Sequence, residues 1–143
     1  MSELNLPEMR SLLEQVFAPW VQDLKIAPTS ITETGATFCV PASPNLVRQG
    51  GDGPAVICGQ AVAAVADTAS VLALAALNGR FRNCTTVDLT THFMRPMMLG
   101  DMIVSIDALS NGRRMAVTRA EFRSAGSEKL AATATCSFAY LED

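Results

Sequence analysis

The chemistry in this chain centres on two residues in one stretch. The segment "ICGQAVAAVADTASVLALAALNG", residues 57 to 79, is built mostly of small apolar residues, and between Gly59 and Leu77 its one charged side chain is Asp67. Burying an unpaired carboxylate costs free energy, so its presence in such a run needs a reason. A carboxylate in an apolar setting suits a general base or a nucleophile. The plainer alternatives are an acid satisfied by backbone donors, or one on the weak polar stripe Ala63, Asp67, Ser70 and Leu74. The second feature is the start of the same segment, where "GGDGPAVICGQ" leads into a predicted helix through several glycines. A helix N-terminus presents free N–H groups and a partial positive charge. Gly59 would let a ligand approach that backbone closely. Such donors can hold a carbonyl oxygen as it becomes an oxyanion. The plainer alternative is that the glycines only form a turn, since no phosphate-loop or dinucleotide fingerprint accompanies them.

Spacing limits how the two can cooperate. Gly59 and Asp67 are eight residues apart, which is roughly 12 Å along a helix axis. Both cannot touch one reacting carbonyl within a single chain. A shared site would join one chain's helix start to another chain's aspartate, as in a two-fold dimer with two equivalent sites.

The elements that must position these residues follow from hydrophobic period. Residues 5 to 24 predict an amphipathic helix, with Asn5 as cap, Pro7 in the first turn and Glu8 three after the cap. Its apolar residues are Leu6, Met9, Leu13, Val16, Phe17, Trp20, Val21 and Leu24, and Pro19 should kink it or end it early. Residues 29 to 41 read as two short strands about a turn at Gly35, and residues 42 to 54 as loop. The apolar helix follows, with Asn78-Gly79 as its stop. In "CTTVDLTTHFMRP" the period becomes two, placing Val87, Leu89 and Phe93 on one face and Thr86, Asp88, Thr90 and His92 on the other. Residues 101 to 109 and 114 to 123 form two strands joined by "SNGR", a tight-hairpin signal, and "LAATATCSFAYL" is the last strand. A helix apolar all round must be buried all round. The simplest architecture is a curved antiparallel sheet wrapped about it.

Length and composition agree with one such domain over residues 1–143, with residues 1–27 as an N-terminal helix and lead-in. Hydrophobic residues at 49% and charged residues at 17% exclude a disordered chain. A net charge of −3 gives no chain-wide attraction to nucleic acid or an anionic membrane. Residues 54 to 77 are long enough to cross a bilayer. Gln60 and Asp67 interrupt the run, however, and a central aspartate is costly there, so no membrane span is expected. The first residues carry no secretory pattern. The four cysteines, Cys39, Cys58, Cys84 and Cys136, make no CxxC pair, and there is one histidine. Reduced thiols in the cytoplasm and no metal site are expected.

The chain resembles the PaaI-like acyl-CoA thioesterases of the hotdog superfamily from about Ser30 onward. The resemblance lies in "RQGGDGPAVICGQAVAAVADTA", "TTVDLTTHFMRPMMLGD" and "NGRRMAVTRAEF". It implies an α+β hotdog fold, with a curved antiparallel sheet around one helix. It also implies homodimers, often paired into tetramers, with sites between subunits. By the same resemblance the N–H of Gly59 polarises the thioester carbonyl, and Asp67 is the catalytic base or nucleophile. Thr86 contacts the reacting water or substrate, and Arg95 is the strand-end arginine expected to bind CoA. Cys58 and Gln60 flank Gly59 as substrate-binding positions, but they stand where the family pattern has His and a second Gly. Cysteine cannot reproduce the hydrogen bonding of histidine. A Cys58 nucleophile at the helix start is a further alternative. Arg113 and Arg114, after the hairpin, either meet CoA phosphates or are solvated surface residues. Met94, Met97, Met98 and Met102 are core residues or a pliable acyl pocket, and His92 is a structural or interface residue. The expected activity is hydrolysis of an acyl-CoA to a free acid and CoA, with no cofactor beyond the CoA of substrate and product. The alternatives are a non-catalytic module binding acyl-CoA or acyl-carrier protein, and a dehydratase, which would need His92 near Asp67.

Overall fold

A computed structural model of the chain describes residues 4 to 142, and the ends of the expected domain at residues 1 to 3 and 143 lie outside the described residues. The N-terminal helix is broken by Pro19 as its sequence predicts, into α1 (Leu6–Val16) and α2 (Pro19–Gln22). Asn5 caps α1 by accepting from the Glu8 N–H at 2.9 Å. The break changes which residues face inward. Met9, Leu13, Val21 and Leu24 are buried, whereas Val16 and Trp20 are exposed, Trp20 by 62%. A continuous helix through residue 24 would have kept one phase, and the proline resets it.

Strands β1 (Ala27–Ile31) and β2 (Gly35–Val40) follow, then α3 (Gly59–Asn78). After it come β3 (Cys84–Phe93), β4 (Met102–Asn111), β5 (Met115–Ser124) and β6 (Ala132–Tyr140). The six strands form one antiparallel sheet in the order β1-β2-β4-β5-β6-β3, open at both edges. Gly35 opens β2 rather than forming the turn. A side chain there would run into the carbonyl of Ile106 on the neighbouring strand, so the strands can approach only over glycine.

Alternation along the central strands sends Phe38, Val104, Ile106, Phe122 and Phe138 onto α3, all essentially inaccessible. They meet Val62, Val65, Ala66, Ala69, Leu72 and Ala73 of the helix. The alanines let the helix lie close to the sheet, and the large residues fill the space between. The one buried polar pair of this interface is satisfied, Thr118 donating to Ser70 at 2.7 Å. Gly79 ends α3 in the left-handed conformation at φ 72°, where its N–H caps Ala76.

The helix is not enclosed on every side, as its composition had led one to expect. Ala63, Ala64, Asp67 and Val71 are only half-buried. They form an open stripe beside the open edge strand β3, whose Val87 and Phe93 are more than half exposed. The weak stripe read from sequence was out of phase with it, since Ser70 and Leu74 are buried. α3 is long and apolar enough to cross a membrane, but it is the core helix of this domain.

Candidate active site

Asp67 and Thr86 are brought together by an irregularity in β3. Thr86 pairs with Phe138 of β6 and Asp88 with Ser137, so Val87 is an extra residue bulged out of the ladder. One inserted residue exchanges the faces of everything before it. Thr86 therefore lies on the helix side with Leu89, Thr91 and Phe93, and not on the outer face with His92 as strict alternation gives. There its hydroxyl donates to Asp67 Oδ1 at 2.6 Å. Among the described residues no other donor reaches the carboxylate, which leaves Oδ2 free to accept from a water or to attack. The charge at Asp67 is felt nearby. Burial pushes the thiols of Cys84 and Cys136 up, and the Asp67 carboxylate raises both further. His92 pairs with Thr133 on the outer face of the sheet, away from Asp67, so the pairing a dehydratase needs is absent within the chain.

The start of α3 is the second half of the arrangement. Cys58 is the N-cap, with its side chain making no capping bond and its N–H donating to Leu46 at 2.7 Å. The N–H groups of Gly59, Gln60 and Ala61 find no acceptor among the described residues. They are three of the orphan donors a helix start presents, with the positive end of the helix dipole behind them. Phe93 stands directly over Gly59, and a Cβ there would sit 3.3 Å from the tip of its ring. The small residue keeps this approach open.

Two cavities flank these donors. One, of about 330 Å³, is lined by Gly59, Phe93 and Met97 together with Arg48 and Arg95. Neither arginine has an acidic partner among the described residues. The other, also about 330 Å³, lies on the opposite side under Trp20 and includes Cys58, Gln60 and Ala61. No periodic signal in the sequence marks Arg48, which sits in an irregular loop. Only the isolated bridge Val47–Ile57 brings that loop to the helix start. The methionines divide. Met97 and Met102 are buried, Met94 and Met98 are exposed, and Met94 and Met97 border the Gly59 cavity.

Arg113 and Arg114 lie at the far end of α3. Tyr140 donates to Asn111 at 2.6 Å, Asn111 to Asn78 at 2.8 Å, and Asn78 back to Tyr140 at 3.0 Å. This ring of bonds ties the hairpin to the helix terminus. Arg82 stacks on the Tyr140 ring at 3.6 Å and donates to the Arg113 carbonyl at 2.7 Å, fixing the turn that presents Arg113 and Arg114. A single chain thus keeps Gly59 with Arg95, Asp67 with Thr86, and Arg113 with Arg114 at three levels along α3.

The sequence profile of the thioesterase superfamily matches residues 56–131. No curated protein matches the chain by sequence. Among solved structures, a conserved protein of Pseudomonas aeruginosa is 26% identical over 90% of this chain and 98% of its own, with a TM-score of 0.76. A thioesterase of Haemophilus influenzae is 18% identical, covering 96% of this chain and 91% of its own, at TM-score 0.81. Zebrafish thioesterase superfamily member 2 is 17% identical, covering 96% and 99%, also at 0.81.

Proposed function

The chain belongs to the thioesterase superfamily, with a hotdog fold and thioester hydrolysis as its class of chemistry, and on that premise we propose that it is an acyl-CoA thioesterase acting as a homodimer, with sites shared between chains. The observation that carries this reading is the state of Asp67. One oxygen is held by Thr86 and the other is unpartnered, on a helix stripe left half-open. In the proposed reaction the thioester carbonyl accepts from the Gly59 N–H. Asp67 of the other chain either takes a proton from the attacking water or adds to the carbonyl itself. Collapse of the tetrahedral oxyanion breaks the carbon–sulfur bond, and the thiolate leaves to be protonated. Where Asp67 itself adds, the acyl–Asp67 anhydride so formed is then cleaved by water, which restores the carboxylate. Water is consumed, and a free acid and CoA are released. Negative charge grows on the carbonyl oxygen where unpaired N–H groups already point, so little reorganisation is needed.

Edge strand β3 supplies the dimer geometry. Gly59 lies level with Phe93, and Asp67 with Thr86. Antiparallel pairing of two β3 edges that sets Thr86 against the partner's Phe93 brings these two halves into one site. With the bulge at Val87 counted, the two-fold axis then runs beside Thr90. The same pairing covers Val87, Phe93 and the half-open helix stripe, and it moves Arg113 and Arg114 of one chain toward the other chain's Gly59 cavity. There they and Arg95 suit CoA phosphates. Cys58 and Gln60 border the acyl side as substrate contacts. We place this activity in the cytoplasm.

The test is a panel of acyl-CoA thioesters with a thiol-detecting readout, run on the wild type and Asp67→Asn. Release by the wild type and a loss of about two orders of magnitude or more in the variant is the expected result. Binding without release would assign the chain to the non-catalytic acyl-CoA or acyl-carrier-protein module. The departures at Cys58 and Gln60 are what favour that second reading.

A further inference from the structure

The two cavities flanking the start of α3 differ in charge, and a thioester has two arms. The cavity on the Gly59 side carries Arg48 and Arg95, both free of acidic partners among the described residues. The cavity on the Gln60 side is lined by Trp20, Leu24, Leu46 and Ala61 together with Ser43 and Asn45, and Asp23 is the one charged residue on its lining. Its lining holds no arginine or lysine. We infer that the thiol arm of the substrate leaves through the Arg48–Arg95 cavity while the acyl arm enters the one under Trp20, and that Trp20 selects the acyl group. This rests on the thioesterase reading above and adds to it the placement of the acyl group and its chemical class.

Charge decides the direction. The thiol arm of CoA ends in phosphates, which are drawn to the paired guanidinium groups and repelled by Asp23. An uncharged acyl group loses nothing beside Asp23, whereas an acyl group ending in a carboxylate is disfavoured there. Gly59 lines one cavity and Gln60 and Ala61 the other, and their N–H groups have no acceptor among the described residues, so a carbonyl held at this helix start lies between the two cavities. Size sets the class. A cavity of about 330 Å³ is roughly twice one of ~150 Å³ that holds a benzene ring. It suits a neutral acyl group with one ring or a chain of about eight carbons. The exposure of Trp20, 62% of its surface on a four-residue helix, also acquires a purpose, since it lines a cavity that an acyl group would fill.

Trp20 is the only tryptophan of the chain, so its emission reports on this cavity without any catalysis. S-octyl-CoA, a thioether that cannot be hydrolysed, should shift Trp20 emission saturably, and CoA alone should not. Kinetically, Trp20→Ala should lower the ratio of kcat/KM for octanoyl-CoA over acetyl-CoA about tenfold, with Trp20→Phe restoring most of it. The penalty should persist on octanoyl-N-acetylcysteamine, which lacks the nucleotide, whereas the penalty of Arg48→Ala should vanish there. Equal shifts from CoA and S-octyl-CoA, or a Trp20 penalty lost with the nucleotide, would overturn the assignment. So would emission that follows protein concentration instead of ligand, which would give Trp20 to a contact between copies. Hydrolysis of octanoyl-CoA with no emission change sinks this inference alone. Absence of hydrolysis across every thioester sinks the enzymatic reading, and the emission titration still decides where an acyl group binds.

Discussion

Two inactive variants should restore each other if the site is shared. The first variant, Asp67→Asn, removes the carboxylate that Thr86 holds at 2.6 Å. The second, Gly59→Pro, removes one N–H from the helix start. The structure supports proline at this position. Gly59 is the first residue of α3, and Cys58 before it has φ −70° and ψ 151°, the extended conformation that a residue before proline requires. The Gly59 N–H has no acceptor within the chain, so no structural bond is lost. An added Cβ would meet only the ring of Phe93, 3.3 Å from its tip, a contact that a shift of a few tenths of an ångström relieves. Loss of the base should cost about two orders of magnitude or more in turnover, and loss of an oxyanion donor about 10²–10³-fold. Each variant alone then runs near or below ~1% of wild type. After unfolding and refolding in equal amounts, half the dimers are mixed when pairing is random. Each mixed dimer has one intact site and one lacking both groups. Activity should return to about a quarter of wild type, roughly 25-fold above either parent, a fraction set by two-fold symmetry. Thiol release from an acyl-CoA gives the rate, and native mass spectrometry counts the mixed dimers. Mixed dimers with no recovered activity would refute the shared site. Full activity of either variant by itself would show that its residue does not do this chemistry.

Other consequences are as direct. Thr86→Val keeps the shape but removes the donor to Asp67. A hydrogen bond to a charged group is worth about 1.5–3 kcal/mol, so turnover should fall about 10- to 100-fold and unfolding free energy by no more than that amount. Equal turnover in the two proteins would show that the Thr86 bond does nothing for the carboxylate. Ala66 is inaccessible against the sheet, and Ala66→Asp should lower unfolding free energy by about 3–5 kcal/mol through an unpaired buried charge. Denaturant titration checks this, and an unchanged midpoint would mean the helix is not wrapped as described. Thr90→Cys should yield a covalent dimer under mild oxidation, since residues facing each other across a two-fold strand pair lie within disulfide reach. Thr85→Cys, five positions along β3, should not, and the reverse pattern would move the axis.

The helices and the hairpin were legible in the sequence because their signals are local. Asn5, Pro19 and Gly79 act on their own neighbours, and helical rise alone set Gly59 and Asp67 too far apart for one chain to use both. The hairpin forms where expected but turns over Arg113-Arg114, because Asn111 is held in β4 opposite Ala116 and neither it nor Gly112 takes a positive φ. What depended on distant pairing was out of reach. Strict alternation put Thr86 on the wrong face, because the bulge at Val87 exists only through register with β6. The apolar composition of α3 put it in a closed sheath, because nothing in β3 announces that it lies at an edge with its apolar side chains exposed. Trp20 shares the helical spacing of the buried residues, and which way the break at Pro19 turns it is set by packing. Arg48 has no pattern, and the loop's bridge to Ile57 carries it to the helix start. Period and punctuation determined which segments this chain folds. Non-local hydrogen bonding decided which side chains those segments present to one another, since a strand's inward face is fixed by its partner and not by its own residues.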